Sequence, residues 1–243
     1  MPRRSPDGTV THMPEAALVY DGYHSQHRER TCQMGRDHHE ARAWVRMPSE
    51  KRLDLLDPTP FDWEDSDLAL GLARTYRWGG HSAWPRPLSV AQHSLSVMVL
   101  RRAAAGGKLS PVEQLRELLH DAEEGLLGFD CVSPLKPFLG DAFRELSIRL
   151  ENAVFLRYGL PRWTQREHAL HKQADRLAAA SEAVHVVGWS EQEVLRTLKI
   201  SSKPLQDDPL QPLYGGEPWE PWSPAVACER FLAELNKLKA LAD

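Results

Sequence analysis

Ser110-Pro-Val-Glu-Gln-Leu-Arg-Glu-Leu-Leu-His-Asp-Ala-Glu-Glu124 carries an apolar helix directly into an adjacent histidine and aspartate. Ser110 with Glu113 three residues on is a capping-box start, and Pro111 sits at the first helical position, where its missing N–H costs nothing. Leu115, Leu118 and Leu119 then lead to His120-Asp121. A carboxylate beside buried leucines needs a partner, and a cation is one such partner. Neighbouring helical side chains diverge by about 100°, yet a long imidazole and a short carboxylate can still converge on an ion between them.

Outward from this stretch nearly everything reads as helix. Upstream, Ser66–Trp78 places Leu68, Leu72 and Tyr76 at intervals of four, and Gly79-Gly80 ends the pattern. Ser89 with Gln92 reads as a second capping-box start, ahead of Val90, Leu95, Val97 and Leu100, and puts His93 in the first turns of that helix. Downstream, Asp141–Tyr158 is amphipathic and closes on Gly159 and Pro161; Thr164 and Glu167 open a helix through Leu170, Ala174, Leu177 and Ala178 that contains Asp175. Ser190–Leu198 is a shorter candidate, 203–224 is too proline-dense for regular structure, and a last helix runs from about Pro224 to Leu241. Before all of these, Arg52–Pro60 reads as a short strand and a turn. The expected fold is an all-α helical bundle with a short N-terminal strand or hairpin, spanning 49–243, with 1–48 a loosely ordered extension. His93, His120, Asp121 and Asp175 come from three helices of that bundle, an arrangement in which metal ligands commonly meet. Two imidazoles and two carboxylates suit one divalent transition metal (Co, Mn, Zn, Fe or Ni) better than Ca or Mg.

In five pieces and in order, the chain resembles the HD-domain phosphohydrolases, in particular bacterial 5'-deoxynucleotidases and related phage deoxynucleoside triphosphohydrolases. The pieces are Arg77-Trp78, Ser89-Val-Ala-Gln-His-Ser94, His120-Asp-Ala-Glu-Glu124, Ser133-Pro-Leu-Lys136 and Lys172-Gln-Ala-Asp175. The resemblance covers roughly 52–185. It implies an HD-domain helical bundle in which His93, His120, Asp121 and Asp175 hold one cation and Glu124 is the catalytic acid or base that serves the attacking water. Arg77 and Lys136 match phosphate contacts, Trp78 an aromatic against the nucleoside, and Asp130 the carboxylate that hydrogen-bonds the sugar 3'-hydroxyl. Gly128-Phe129-Asp130 holds one residue more than the usual Gly-Asp, which bears on sugar selection. His81, after the two glycines, is a further candidate phosphate contact. The activity so implied is hydrolysis of a (deoxy)nucleotide phosphomonoester, with triphosphohydrolysis as an alternative for which Arg86, His81 or Arg144 would supply added cations.

Other histidines carry weaker signals. Asp37-His38-His39 has the letters of the DHH phosphoesterases but no preceding buried strand; His24, His27, His38 and His39 read as surface residues. His168 and His171 share a helical face with Asp175, where His171 either contacts substrate or packs. A di-iron oxygenase of the same superfamily would need both to hold a second iron. A non-catalytic nucleotide sensor is a third possibility, against which the complete set of ligands and Glu124 argue. Trp84, Trp163, Trp189, Trp219 and Trp222 read as packing anchors.

Thirty Lys and Arg against 34 Asp and Glu give a net charge of −4, without the basic patch a nucleic-acid duplex requires. The expected partner is a small nucleotide; homodimerisation is left open. Cys32, Cys131 and Cys228 lack CxxC spacing and leave an odd thiol, which suits a reducing cytoplasm. No stretch reaches the roughly 18 apolar residues needed to span a bilayer, so the expected location is cytoplasmic.

Overall fold

A computed structural model describes residues 43–242. The segment 1–42, with Cys32, the Asp37-His38-His39 triplet and most of the expected extension, lies outside the described residues. The described part is helical apart from one antiparallel hairpin, β1 (Trp44–Arg46) with β2 (Arg52–Asp54), registered through Val45 and Leu53. The hairpin therefore begins before residue 49, the expected start of the folded part. Its turn uses Glu50 at φ 70°, and Ser49 N–H donates to Asp67 at 2.9 Å, tying the hairpin to the first helix.

The helices are α1 (Asp65–Arg74), α2 (Val90–Ala104), α3 (Pro111–Leu118), α4 (Ala122–Leu127), α5 (Gly140–Arg157), α6 (Gln165–Glu182), α7 (Glu191–Arg196), α8 (Gln211–Tyr214) and α9 (Pro224–Ala242). Two of the expected capping boxes are built as read, Ser110/Glu113 and Thr164/Glu167, and a further reciprocal box, Ser190/Glu193, opens the shorter helix. Ser89 caps α2, its hydroxyl accepting from Gln92 N–H at 3.2 Å. The Gln92 side chain does not return to the cap, however. Its amide donates to Glu220 O at 3.1 Å and accepts from Trp222 N–H at 2.8 Å. It is thereby spent on the proline-rich segment, which contains the short α8.

α2 is the central element. Val90, Ala91, Leu95 and Met98 are fully or almost fully buried among α1, α3, α6 and α9, which all pack on it. α9 lays Phe231, Leu235 and Leu238 against α1 and α3. α1 and α4 approach with glycine facing glycine, Gly71 on one and Gly125 on the other. Among the described residues no helix is long and apolar enough to cross a membrane.

Two local expectations are corrected. The helix read as Ser66–Trp78 stops at Arg74: Thr75 and Tyr76 are extended, Tyr76 bridges Ser89, and Arg77–Gly80 forms a 3-10 turn with Trp78 at φ 59°. Secondly, His120-Asp121 does not lie within a continuous helix. α3 ends at Leu118, Asp121 takes φ −115° and ψ 25° as the cap of α4, and the pair occupies the turn between them. A break at this point removes the divergence that a continuous helix would impose, so adjacent side chains can face one place.

Candidate metal centre

α2, the α3–α4 turn and α6 bring His93, His120 and Asp175 together, with Asp121 against both imidazoles and itself grouped with Glu123 and Glu124. His93 Nε2 lies 3.4 Å from Asp175 Oδ1 and 3.7 Å from Asp121 Oδ2, while His120 Nε2 lies 3.1 Å from the same Asp121 oxygen. Neither imidazole Nε2 has a hydrogen-bond partner, although both atoms are buried. Leaving such atoms unpaired costs about 1–3 kcal/mol each, so a ligand is the expected complement. Ligand atoms bonded at about 2.0–2.2 Å to one cation stand about 3.0–3.5 Å apart in tetrahedral or octahedral sites; these separations fall in or just above that range. The donor set fits a divalent transition metal.

The other ring nitrogens fix the tautomers. His120 Nδ1–H donates to the Glu117 carbonyl at 2.8 Å, an acceptor by nature. His93 Nδ1–H donates to Glu182 Oε1 at 2.6 Å. Both arrangements turn an unprotonated Nε2 toward the carboxylates, the orientation a metal ligand requires. Without a cation the site attracts a proton instead. Burial and the Arg77 guanidinium oppose charge on His93, but the Glu182 and Asp175 carboxylates outweigh them and push its imidazole up to about 9. Burial likewise disfavours ionised Asp121 and Asp175, yet the neighbouring imidazoles hold both well below the usual carboxylate range. Such a cluster has an excess of negative charge to which a cation is the natural counterpart.

Glu124 flanks this point from α4. One oxygen accepts from Lys136 Nζ at 3.1 Å; the other, Oε2, is buried and unpartnered. Burial, then Asp121 and Asp130, push its carboxyl up to about 9. Glu123, on the same turn, is pushed up to about 8 by burial and Asp121, and its carboxylate comes within ligand distance of those of Asp121 and Glu124. Glu123 is only partly exposed and belongs to the rim of the cluster.

Arg77 reaches the centre from the 3-10 turn, with Nη1 3.9 Å from Asp121 and Nε donating to Glu182 at 3.3 Å. Burial opposes its charge, but Glu182, Asp130, Asp121 and Asp175 together hold it protonated. Trp78 donates its indole N–H to Glu182 at 3.2 Å and packs against Ala180, Ala183 and Val194. Lys136 lies in the 3-10 turn Ser133–Phe138. Asp130 follows Gly128, which closes α4 at φ 81°, and stands close enough to act on Arg77 and Glu124. The extra residue, Phe129, is half exposed and leans on Phe143 with ring centres 5.8 Å apart.

His81 is brought no further than an exposed position after the turn. Arg86 is engaged by Glu220 at 2.7 Å and Arg144 by Asp141 at 2.9 Å. His171 packs: its Nδ1–H donates to Glu117 at 2.8 Å, while His168 is exposed beside Trp163.

Glu182 and Glu117 were not among the candidates read from the sequence. Glu182 lies seven residues, two helical turns, after Asp175 and hence on the same face of α6; that interval was the available signal. Glu117 stands one turn before Asp121 and is buried between Arg101, 2.9 Å away, and His171.

No family model matches the chain. Over 157 residues it is 45% identical to an uncharacterized protein of Rhodobacter capsulatus, the alignment covering 64% of this chain and 79% of that one. The chain belongs to the family of that protein.

Proposed function

We propose that this chain is a metal-dependent phosphohydrolase of the HD class acting on nucleotides, most simply as a 5'-deoxynucleotidase. The observation that carries the reading is the meeting of two buried, unpartnered imidazole nitrogens with two aspartates, bordered by an unpaired glutamate oxygen and two cationic side chains. His93, His120, Asp121 and Asp175 would hold the cation, which supplies Lewis acidity toward a phosphoryl oxygen and acidifies a nearby water. Glu124 Oε2 is the group placed to hold the attacking water, with Lys136 fixing the other oxygen; a cation held beside Asp121 would offset the negative charge that, after burial, raises the Glu124 carboxyl and so let it ionise and take the water's proton. The Arg77 guanidinium and Lys136 ammonium offset the charge that develops on the phosphoryl group. A monophosphate suits the cluster better than a triphosphate, because Arg86 and Arg144 are already engaged by carboxylates and His81 is exposed. Asp130, beside Arg77, is the candidate for the sugar hydroxyl.

The test is metal analysis of the purified chain followed by a product screen on matched pairs, dAMP with AMP and dATP with ATP. Bound transition metal with orthophosphate released from dAMP supports the reading; tripolyphosphate from dATP would move it to a triphosphohydrolase. A chain that neither binds metal nor releases phosphate from any of the four overturns it.

A further inference from the structure

Glu182 is buried, 3% exposed, and its two oxygens face in different functional directions. Oε1 accepts from His93 Nδ1–H at 2.6 Å; Oε2 accepts from Arg77 Nε at 3.3 Å and from Trp78 Nε1 at 3.2 Å. The first bond commits Nδ1 as a donor, so Nε2, which faces Asp121 and Asp175, is the nitrogen available to a cation. The second holds the guanidinium beside the same Asp121. Trp78 adopts φ 59°, a conformation disfavoured for a bulky side chain, and the bond to Glu182 is one contact that keeps it there.

We propose that Glu182 is a positioning residue that couples the metal ligand His93 to the phosphate-binding cation Arg77, so that one carboxylate prepares both halves of the site. The inference rests on the metal-dependent phosphohydrolase reading and adds to it a residue that touches neither metal nor substrate. Only an ionised carboxylate satisfies the geometry, because all three neighbours are donors. A glutamine of the same shape has one acceptor and one donor end. With its oxygen toward His93, its NH2 meets the N–H groups of Arg77 and Trp78 and displaces them. Turned over, its NH2 donates to His93 Nδ1, which moves the ring proton to Nε2 and removes a metal ligand.

The isosteric variant Glu182→Gln must therefore lose one function or the other, which a merely space-filling role would not require. Two readouts on the purified full chain test this: Co²⁺ binding by calorimetry, and inorganic phosphate binding to the Co²⁺-loaded protein. Expected is either a fall of about 10–100-fold in Co²⁺ affinity, the usual scale for losing the outer partner of a ligating histidine, or near-normal Co²⁺ affinity with phosphate binding weakened at least tenfold. Glu182→Ala should lower both. Thermal unfolding of each metal-free variant checks that the chain is folded, and Arg77→Ala with Glu182 intact should weaken phosphate without lowering Co²⁺ affinity, since it removes a positive charge 3.9 Å from Asp121. Wild-type affinity for both Co²⁺ and phosphate in Glu182→Gln overturns the coupling and leaves the phosphohydrolase reading standing. Failure of the unmodified chain to bind Co²⁺ removes both.

Discussion

Replacing Gly71 by alanine tests whether the close approach of α1 and α4 sets the position of Glu124, the proposed catalytic carboxylate. A Cβ built at Gly71 lands 2.2 Å from the carbonyl oxygen of Gly125 and 3.0 Å from its carbon. Cβ atoms essentially never come within 3.0 Å of a non-bonded heavy atom elsewhere in the chain, so the helices must separate by about 0.8 Å, the difference between that limit and 2.2 Å. The obstacle is main chain, which cannot rotate aside. Alanine gains about 1 kcal/mol over glycine in a helix interior, and overpacking costs about 1–3 kcal/mol, with backbone against backbone at the upper end. The net loss should be about 1–2 kcal/mol. For a folded part of this size that lowers Tm by about 2–8 °C.

The functional consequence should exceed the thermodynamic one. Glu124 immediately precedes Gly125, its carbonyl accepts from Thr75 Oγ1 at 3.4 Å across the same interface, and Asp121 caps the same helix. A shift approaching 1 Å at a reacting group costs on the order of 100-fold in rate. Urea unfolding should show a lower midpoint at unchanged slope, and phosphate release should fall more than stability does. Gly107→Ala, on the turn after α2 where a Cβ meets nothing within 4 Å, supplies the control: φ 74° there makes it cost stability without touching turnover. A Gly71→Ala protein as stable and as active as the wild type would refute the argument.

Three further outcomes follow from the site. Glu124→Gln should retain the cation while turnover falls by about 10²–10⁴, with Glu123→Gln close to wild type; equal losses in steady-state rates would show that the acting carboxylate had been misassigned. Adding Co²⁺ at about 100 times its Kd should stabilise the chain by about 2.7 kcal/mol, read as a concentration-dependent Tm that chelator reverses and Asp175→Ala abolishes; a metal-independent Tm in the wild type would contradict the site. Burial pushes His171 down to about 4 from 6.5, so between those values the unfolded chain binds more protons than the native one. Stability linked to His171 is full above about pH 6.5 and lost as pH falls toward 4, by at most about 3 kcal/mol. Urea midpoints of the wild type from pH 7 to 4.5 should fall more steeply than those of His171→Gln, and parallel slopes would remove the linkage.

What was legible in the sequence was what local chemistry decides. Ser110 and Thr164 announce their helices because a hydroxyl and a glutamate three residues on need only each other. Leu115 and Leu118 mark a buried face by periodicity, and His93, His120, Asp121 and Asp175 could be singled out as residues of ligand type in three separate segments, two of them helices and the third a turn. The departures occur where a distant segment competes for a local group. Gln92 has the spacing of a capping box, but Glu220 and Trp222 take its amide, so the box is replaced by an attachment of the proline-rich segment one residue from His93. Ser181, beside Glu182, is held in the same way, its hydroxyl accepting from Leu205 N–H at 2.9 Å. The Ser66–Trp78 stripe ran on in sequence past Arg74, yet Tyr76 pairs with Ser89 and the chain leaves the helix there. That exit is what brings Arg77 and Trp78 onto Glu182. A carboxylate on α6 owes its burial to an imidazole on α2, a guanidinium and an indole on one turn, and none of these lies within 80 residues of it in the chain. Helical periodicity could place Glu182 on the face of Asp175, but only assembly of those three segments shows why that face carries a second acid.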